Sequence, residues 1–211
     1  HTQWYKYSVN FIVALVAIMA GLFIAESLIA AQTNEQDDVQ STVVAGQLAP
    51  RLQNLGNHKF PVTTNSARAQ LFINQGLMLA YGFNHAEAER SFREAARLDP
   101  NCAMAYWGMA LVLGPNINMA MAPEAEQPAH EAIRQAEALK KTVSEREQAY
   151  IDALAKRYSG EEKPNRSALD RAYAAAMREL HDRYPDDLDA ATLYAEAEMN
   201  LRPWTYWTRD L

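Results

Sequence analysis

The chain has 211 residues, of which 49% are apolar, enough for one ordinary domain with an appendage and too many for a wholly disordered protein. A formal net charge of -6, without a cluster of Lys and Arg, argues against a nucleic-acid-binding surface, so we expect no nucleic-acid partner. Cys102 is the single cysteine, which excludes an internal disulfide, a thiolate zinc site and a Cys-x-x-Cys-His haem attachment.

An apolar segment dominates the N-terminal part of the chain. Residues 11–25 include no polar side chain, and three aromatic residues among the first seven resemble the aromatic belt of a membrane interface. A helix extended over residues 7–31 would be about 37 Å long, enough to cross a hydrocarbon core of roughly 30 Å. We therefore predict a transmembrane anchor within residues 1–31. The alternative is a secretory signal peptide, for which residues 28–31 offer a loose cleavage site.

The charges that flank the apolar segment predict its orientation. Lys6 precedes the segment, whereas four acidic residues and no basic residue follow it before Arg51. The positive-inside rule therefore places the N-terminus in the cytoplasm and the rest of the chain outside it. In a bacterium this means a single-pass protein of the inner membrane, with its main domain in the periplasm and the lipid bilayer as one partner.

Small residues recur on one face of the predicted anchor. Their spacings of three, four and four residues are helical, and they are Ala14, Ala17, Gly21 and Ala25. Such a stripe lets a second membrane helix approach closely, so it predicts contact with a partner protein. The alternative is that Ala and Gly are merely common in membrane helices.

Residues 32–57 are polar and show no sustained hydrophobic period, which predicts a linker. A short helix over residues 48–55 is compatible with this segment. The linker would let the following domain, residues 58–211, stand away from the membrane.

Helical hydrophobic periods fill most of the chain after the linker, which predicts an all-α domain. We expect seven helices, over residues 66–82, 85–98, 100–113, 123–141, 145–158, 166–184 and 186–201. Asn84 and Ser144 each stand three residues before a glutamate, which is the spacing of a capping box. Asp99 followed by Pro100 predicts an N-cap with proline at the first helical position.

Residues 69–102 have the length and pattern of a tetratricopeptide repeat (TPR). The bulky, small, small, aromatic, small and proline positions of that pattern are held by Phe72, Gly76, Ala88, Phe92, Ala95 and Pro100. Tyr106 and Ala110 follow Phe72 and Gly76 by 34 residues, so the period continues, and a further copy begins near residue 145. We therefore predict a TPR-like solenoid of helical hairpins, with about three repeats and a terminal helix behind the anchor.

Four strings make the resemblance more specific, and they are residues 81–88, 103–108, 113–118 and 202–207. They look like a family of bacterial exported TPR proteins whose members are usually longer than this chain. The resemblance implies the fold over residues 58–207. It supplies no catalytic residue.

Catalytic and metal motifs are weak or missing in the sequence. His130 and Glu131 resemble the start of a zinc-protease helix, but Arg134 stands where the second histidine belongs. No Gly-rich phosphate loop, nucleophile elbow or paired-acid motif is present. We therefore expect neither an enzyme nor a cofactor or metal site.

A cluster of aromatic residues follows Pro203, near the end of the chain. Trp204, Tyr206 and Trp207 are candidate contacts for a partner protein, because Trp and Tyr are frequent interface anchors. Burial within the domain is an equal alternative.

These features predict a membrane-anchored scaffold, or an accessory subunit of a membrane complex, that binds other membrane or periplasmic proteins through its solenoid and its anchor. Two alternatives stay open. One is a structural subunit that buries its apolar helix in a membrane assembly or filament. The other is a fragment of a longer protein with a further functional domain.

Overall fold

A computed structural model describes residues 46–207 of the chain. The predicted transmembrane anchor lies outside these residues, as does its stripe of small residues. Within residues 46–207, no helix is both long and apolar enough to cross a membrane.

The described part of the chain is α-helical and has no β-strand, which confirms the predicted all-α class. Two 3-10 turns, Pro123–Ala125 and Lys140–Thr142, flank the fourth helix. The seven α-helices are α1 (Ala67–Tyr81), α2 (His85–Leu98), α3 (Ala103–Leu113), α4 (Glu126–Leu139), α5 (Glu145–Ala155), α6 (Arg166–Arg183) and α7 (Leu188–Asn200).

The helices pack in the order of the sequence. Each helix from α1 to α6 contacts the next one, and α1 also contacts α3, as α3 contacts α5. The odd-numbered helices α1, α3 and α5 therefore share one layer, with α2 and α4 packed against it. This arrangement is that of a helical repeat, in which each hairpin buries its apolar surface against its neighbours.

Two of the predicted packing residues, Gly76 and Phe92, meet at one point with a third residue, Gly108. Phe92 on α2 is fully buried, and its ring faces Gly76 on α1 and Gly108 on α3. A Cβ built on Gly76 would lie 2.8 Å from Phe92 Cε1, and one built on Gly108 would clash with the same ring. The two glycines thus let one ring of α2 fill the space between two helices of the shared layer. Gly108 was not among the predicted packing residues.

The other predicted packing residues differ in their burial. The four that lie on helix faces directed at the core are almost completely buried, and they are Phe72, Ala88, Ala95 and Ala110. Tyr106 is only partly buried, and its hydroxyl donates to the Pro100 carbonyl oxygen over 3.2 Å. Pro100 itself is exposed in the turn before α3.

Of the three predicted helix caps, one forms in full, one lacks its side-chain bond although α2 begins at His85 as predicted, and one lies elsewhere. Ser144 and Glu147 form the predicted capping box of α5. Asn84 makes no side-chain capping bond. The prediction of an N-cap at Asp99 was also wrong, because α3 begins three residues after Pro100. The Asp99 carboxylate is bonded instead to Thr64 Oγ1 (2.5 Å) and to backbone N–H groups, so it holds the turn together.

The second half of the predicted linker belongs to the compact unit, which begins at Gly46. No helix forms over residues 48–55, where Pro50 lacks a backbone N–H and Asn54 has a φ of 64°. Residues 46–65 instead run as an irregular, extended segment against the helices. Ala49 and Phe60 in this segment are 1% and 0% exposed, because their side chains join the core of the helical domain.

Candidate functional site

The layer of odd-numbered helices holds residues 46–65, which we call the extended segment. Six of the helical residues that contact it form what we call the segment-binding face: Gln70, Asn74, Gln75, Trp107, Glu147 and Tyr150. Three come from α1, one from α3 and two from α5. Contact between α1 and α3, and between α3 and α5, brings the six together although they span 81 positions of the sequence, from 70 to 150 counted inclusively.

Two side chains of α1 bind the backbone of the extended segment around its aromatic residue. The Phe60 N–H donates to Asn74 Oδ1, and the Val62 N–H donates to Gln70 Oε1, each over 3.0 Å. Gln70 Nε2 returns a bond to the Phe60 carbonyl oxygen over 2.8 Å. The two amides therefore satisfy backbone groups that have no secondary-structure partner.

Gln75 binds the backbone of the same segment further towards its N-terminal end. Its Oε1 accepts from the Leu52 N–H over 2.8 Å, and its Nε2 donates to the Pro50 carbonyl oxygen over 2.9 Å. Nε2 also donates to Ser91 Oγ on α2. Gln75 is 2% exposed, so these bonds satisfy an amide that would otherwise be costly to bury.

Glu147 provides the corresponding contact at the C-terminal end of the segment. Its carboxylate accepts from the Thr63 N–H and from the Thr63 hydroxyl, each over 2.6 Å. The same carboxylate closes the capping box with Ser144. Thus one buried glutamate both caps the start of α5 and binds the extended segment. The second role is not needed to form α5.

Phe60 is the side chain by which the segment enters the face. Its ring is stacked on Trp107 with the centroids 5.8 Å apart, and it meets the Tyr150 ring edge to face at 5.3 Å. The Arg146 guanidinium lies 4.4 Å from the Phe60 ring centroid. Trp107 Nε1 donates to the Tyr150 carbonyl oxygen, which fixes the indole beneath the ring. The result is an aromatic pocket that a single side chain fills.

Asp187, the residue before α7, completes the polar surroundings of this pocket. Asp187 accepts from Arg146 Nε over 2.7 Å and from the Tyr150 hydroxyl over 3.0 Å. Burial would raise the pKa of the Asp187 carboxyl, but the bonds from Arg146, the Ala190 N–H and Tyr150 lower it overall. The ionised carboxylate thus holds Arg146 over the aromatic pocket.

A separate, mainly apolar pocket lies beside α7. It encloses about 410 Å³ and is lined by residues near the C-terminal ends of α1 and α3, by the turn that follows α3, and by α7. Two charged side chains reach it, Arg157 and Glu196.

The candidate partner contacts near the end of the chain differ in exposure. Trp204 and Trp207 expose 74% and 83% of their surface, whereas Tyr206 is partly buried. The two indoles are therefore accessible in the described part of the chain. Among residues 46–207 there is no group of three or more His, Cys, Asp or Glu placed to hold a metal ion.

The segment-binding face was not identified from the sequence, although two signals were present. Gln75 falls on the buried side of an amphipathic helix, where an amide needs a partner from elsewhere. Phe60 is an aromatic residue at the C-terminal edge of a polar linker, where nothing local would bury it. Neither signal identifies the residues that these two side chains contact.

Comparisons with protein-family models, with curated proteins and with solved structures gave no match for this chain.

Proposed function

We propose that this protein is a TPR-type scaffold, held at a membrane by its N-terminal helix, which binds extended segments of other proteins on its segment-binding face. The observation that carries this proposal is the set of side-chain bonds from Gln70, Asn74, Gln75 and Glu147 to the backbone of an extended segment. The proposed role is binding, without catalysis.

Backbone recognition suits a scaffold that accepts an extended peptide. Main-chain hydrogen bonds provide affinity for any chain in the right conformation, and a side-chain pocket provides selectivity. Here the side-chain amides of α1 and the Glu147 carboxylate make the main-chain hydrogen bonds. The pocket between Trp107 and Tyr150 accepts the side chain. A partner segment with an aromatic residue would satisfy both.

The protein's own extended segment occupies the face, so a partner must compete with it. A segment joined to the helical domain acts at an effective concentration in the millimolar range when its linker is short. We therefore infer that a partner needs contacts beyond the segment-binding face in order to displace residues 46–65. The exposed Trp204 and Trp207 can provide such contacts.

The packing of the hairpins supports the TPR assignment within this proposal. Phe92 placed against Gly76 and Gly108 follows the family's use of an aromatic residue between small ones, and the 34-residue period relates Phe72 to Tyr106. The apolar run of residues 11–25 supports the membrane anchor.

Binding in trans tests the proposal. A labelled peptide of residues 46–65 is added to the full chain carrying Phe60→Ala, which empties the aromatic pocket and weakens the hold on the native segment. We expect the wild-type peptide to bind this variant and to restore part of the thermal stability lost through the substitution.

A matched peptide and a matched chain serve as controls. The peptide carrying the same Phe60→Ala change should bind at least about tenfold more weakly, because it cannot fill the pocket. The wild-type chain, whose face is occupied, should bind the wild-type peptide weakly. Equal binding of both peptides to the variant, or no rescue of its stability, would disprove recognition on this face.

A further inference from the structure

The apolar pocket beside α7 has the size and chemistry of a small-molecule site. Its volume of about 410 Å³ falls within the range of ligand pockets, and most of its wall is apolar. Tyr81 closes it from α1, Leu111 and Val112 from α3, and Leu193 and Met199 from α7. These elements approach each other only in the folded domain.

A buried cation forms part of the wall. Arg157 is 1% exposed, although arginine is rarely buried without a partner that compensates its charge. Its Nη2 donates to the Pro115 carbonyl oxygen over 2.7 Å, and its guanidinium lies 4.5 Å from the Tyr173 ring centroid. Nε has no hydrogen-bond partner among the described residues. The cation is thus fixed in place and incompletely satisfied.

The backbone beside Arg157 is shaped for the guanidinium. A Cβ on Gly114 would lie 3.0 Å from Arg157 Nη1 and 2.6 Å from the Tyr158 hydroxyl, so only glycine leaves room for the two side chains. The guanidinium of Arg157 is therefore packed tightly against the turn after α3.

Glu196 on α7 is the one carboxyl in the pocket wall, and it compensates Arg157 incompletely. Burial raises the pKa of the Glu196 carboxyl, against a smaller opposite effect of Arg157, so its neutral form is favoured more than in a free glutamate. Its Oε1 accepts from Asn200 Nδ2 over 2.6 Å. Glu196 is thereby held to its own helix.

We propose that this pocket binds an aliphatic monocarboxylate of medium chain length, with its carboxylate at Arg157 and its chain between α1, α3 and α7. A carboxylate neutralises the guanidinium and accepts the hydrogen bonds that the cation can donate. A neutral apolar ligand would leave Arg157 unpaired, and a cation would be repelled. The volume exceeds the roughly 150 Å³ of a cavity that holds benzene, which leaves room for an alkyl chain.

Calorimetric titration of the full chain, kept in solution by an amphipol, with octanoate tests the proposal. Octanol and octylammonium have the same chain and differ in charge. We expect octanoate to bind, with octanol and octylammonium at least about tenfold weaker. Equal affinity for octanol would overturn the role of Arg157 and leave an apolar pocket only.

Two variants locate the binding, and one matched variant controls for the loss of a positive charge. Ala195→Trp fills the pocket from an exposed position, so it should abolish octanoate binding without unfolding the protein. Arg157→Met should weaken binding at least about tenfold, whereas Arg134→Met, at a largely exposed arginine, should not. If Arg157→Met does not fold, Ala195→Trp and the octanol comparison decide. Unchanged binding in Ala195→Trp would show that the pocket is not the site.

Discussion

Gly76 and Phe92 are in contact so close that the first must be glycine: a Cβ at position 76 would lie 2.8 Å from the ring atom Cε1 of Phe92. Phe92 is fully buried, so its ring has no open space into which it could move. The distance between the two helices of the first hairpin therefore depends on this pair of residues.

Replacing Gly76 with Leu is expected to disrupt the first hairpin. Four extra carbons would push α1 away from α2, at a cost of about 3 kcal/mol or more. Urea denaturation followed by circular dichroism measures the effect. The control is Gly82→Leu at the exposed end of α1, where a Cβ would meet its nearest atom at 3.4 Å. If the urea midpoint of Gly76→Leu equals that of the control, the close contact between Gly76 and Phe92 is not required for stability.

Ser144→Ala is expected to lower the free energy of unfolding by about 1 kcal/mol, because the capping box of α5 loses its hydroxyl acceptor. Asn84→Ala is the matched change at a cap without a side-chain bond, and it should have a smaller effect. Chemical denaturation of both variants gives the comparison. Equal losses would mean that the capping bond at Ser144 contributes nothing.

Removing residues 46–57 should destabilise the helical domain. A fragment of residues 58–211 loses the buried Ala49 and the bonds between Gln75 and the segment backbone. We expect its melting temperature to be at least about 4 °C below that of a fragment of residues 46–211, with similar helix content. Thermal melts monitored by circular dichroism compare the two. Identical melting temperatures would place the edge of the stable unit at residue 58.

The stability of the domain should fall in acid partly through Asp99. The hydrogen bond from Thr64 is the largest effect on the pKa of this carboxyl, and with the Asn65 and Asn101 N–H groups it lowers that pKa despite burial. A lowered folded-state pKa means that this stabilisation is complete above the unfolded value of about 3.9 and is lost as the pH falls through the folded-state value.

Urea denaturation between about pH 5 and pH 2 measures this dependence, and Asp99→Asn isolates its source. The variant should be less stable than the wild type at neutral pH, and its stability should change less over the acid range. A wild-type acid profile identical to that of the variant would exclude Asp99 as a contributor.

The predicted anchor yields a separate test of partner binding. If the stripe of small residues contacts a partner helix, Gly21→Ile should release the partner from membrane pull-downs without altering the helical domain. Leu22→Ile, the adjacent change outside the stripe, should not. Full recovery of the partner with Gly21→Ile would show that the segment anchors the protein in lipid and does not bind the partner. Loss of the partner only after changing Trp204 and Trp207 would move the contact to those exposed residues.

Local sequence patterns determined the helices of this protein. The hydrophobic periods predicted seven helices, and seven lie within residues 46–207, because each amphipathic pattern has a single helical face to bury. The capping box at Ser144 was predictable because its partners stand three residues apart. The start of α3 was not predictable in this way, because Thr64 and Asn65, which are distant in the sequence, donate hydrogen bonds to the Asp99 carboxylate.

Tertiary structure alone decided what the polar residues contact. The sequence shows that residues 46–57 are polar and irregular, but their backbone groups find partners on α1 and α2 only after the hairpin has formed. Phe60 meets Trp107 and Tyr150 across 47 and 90 positions of sequence. Arg157 is held as a buried cation by the turn after α3 and by Tyr173 on α6. Helical periodicity records which face of a helix is buried. It carries no information about which distant segment buries it, because many segments of similar polarity could do so.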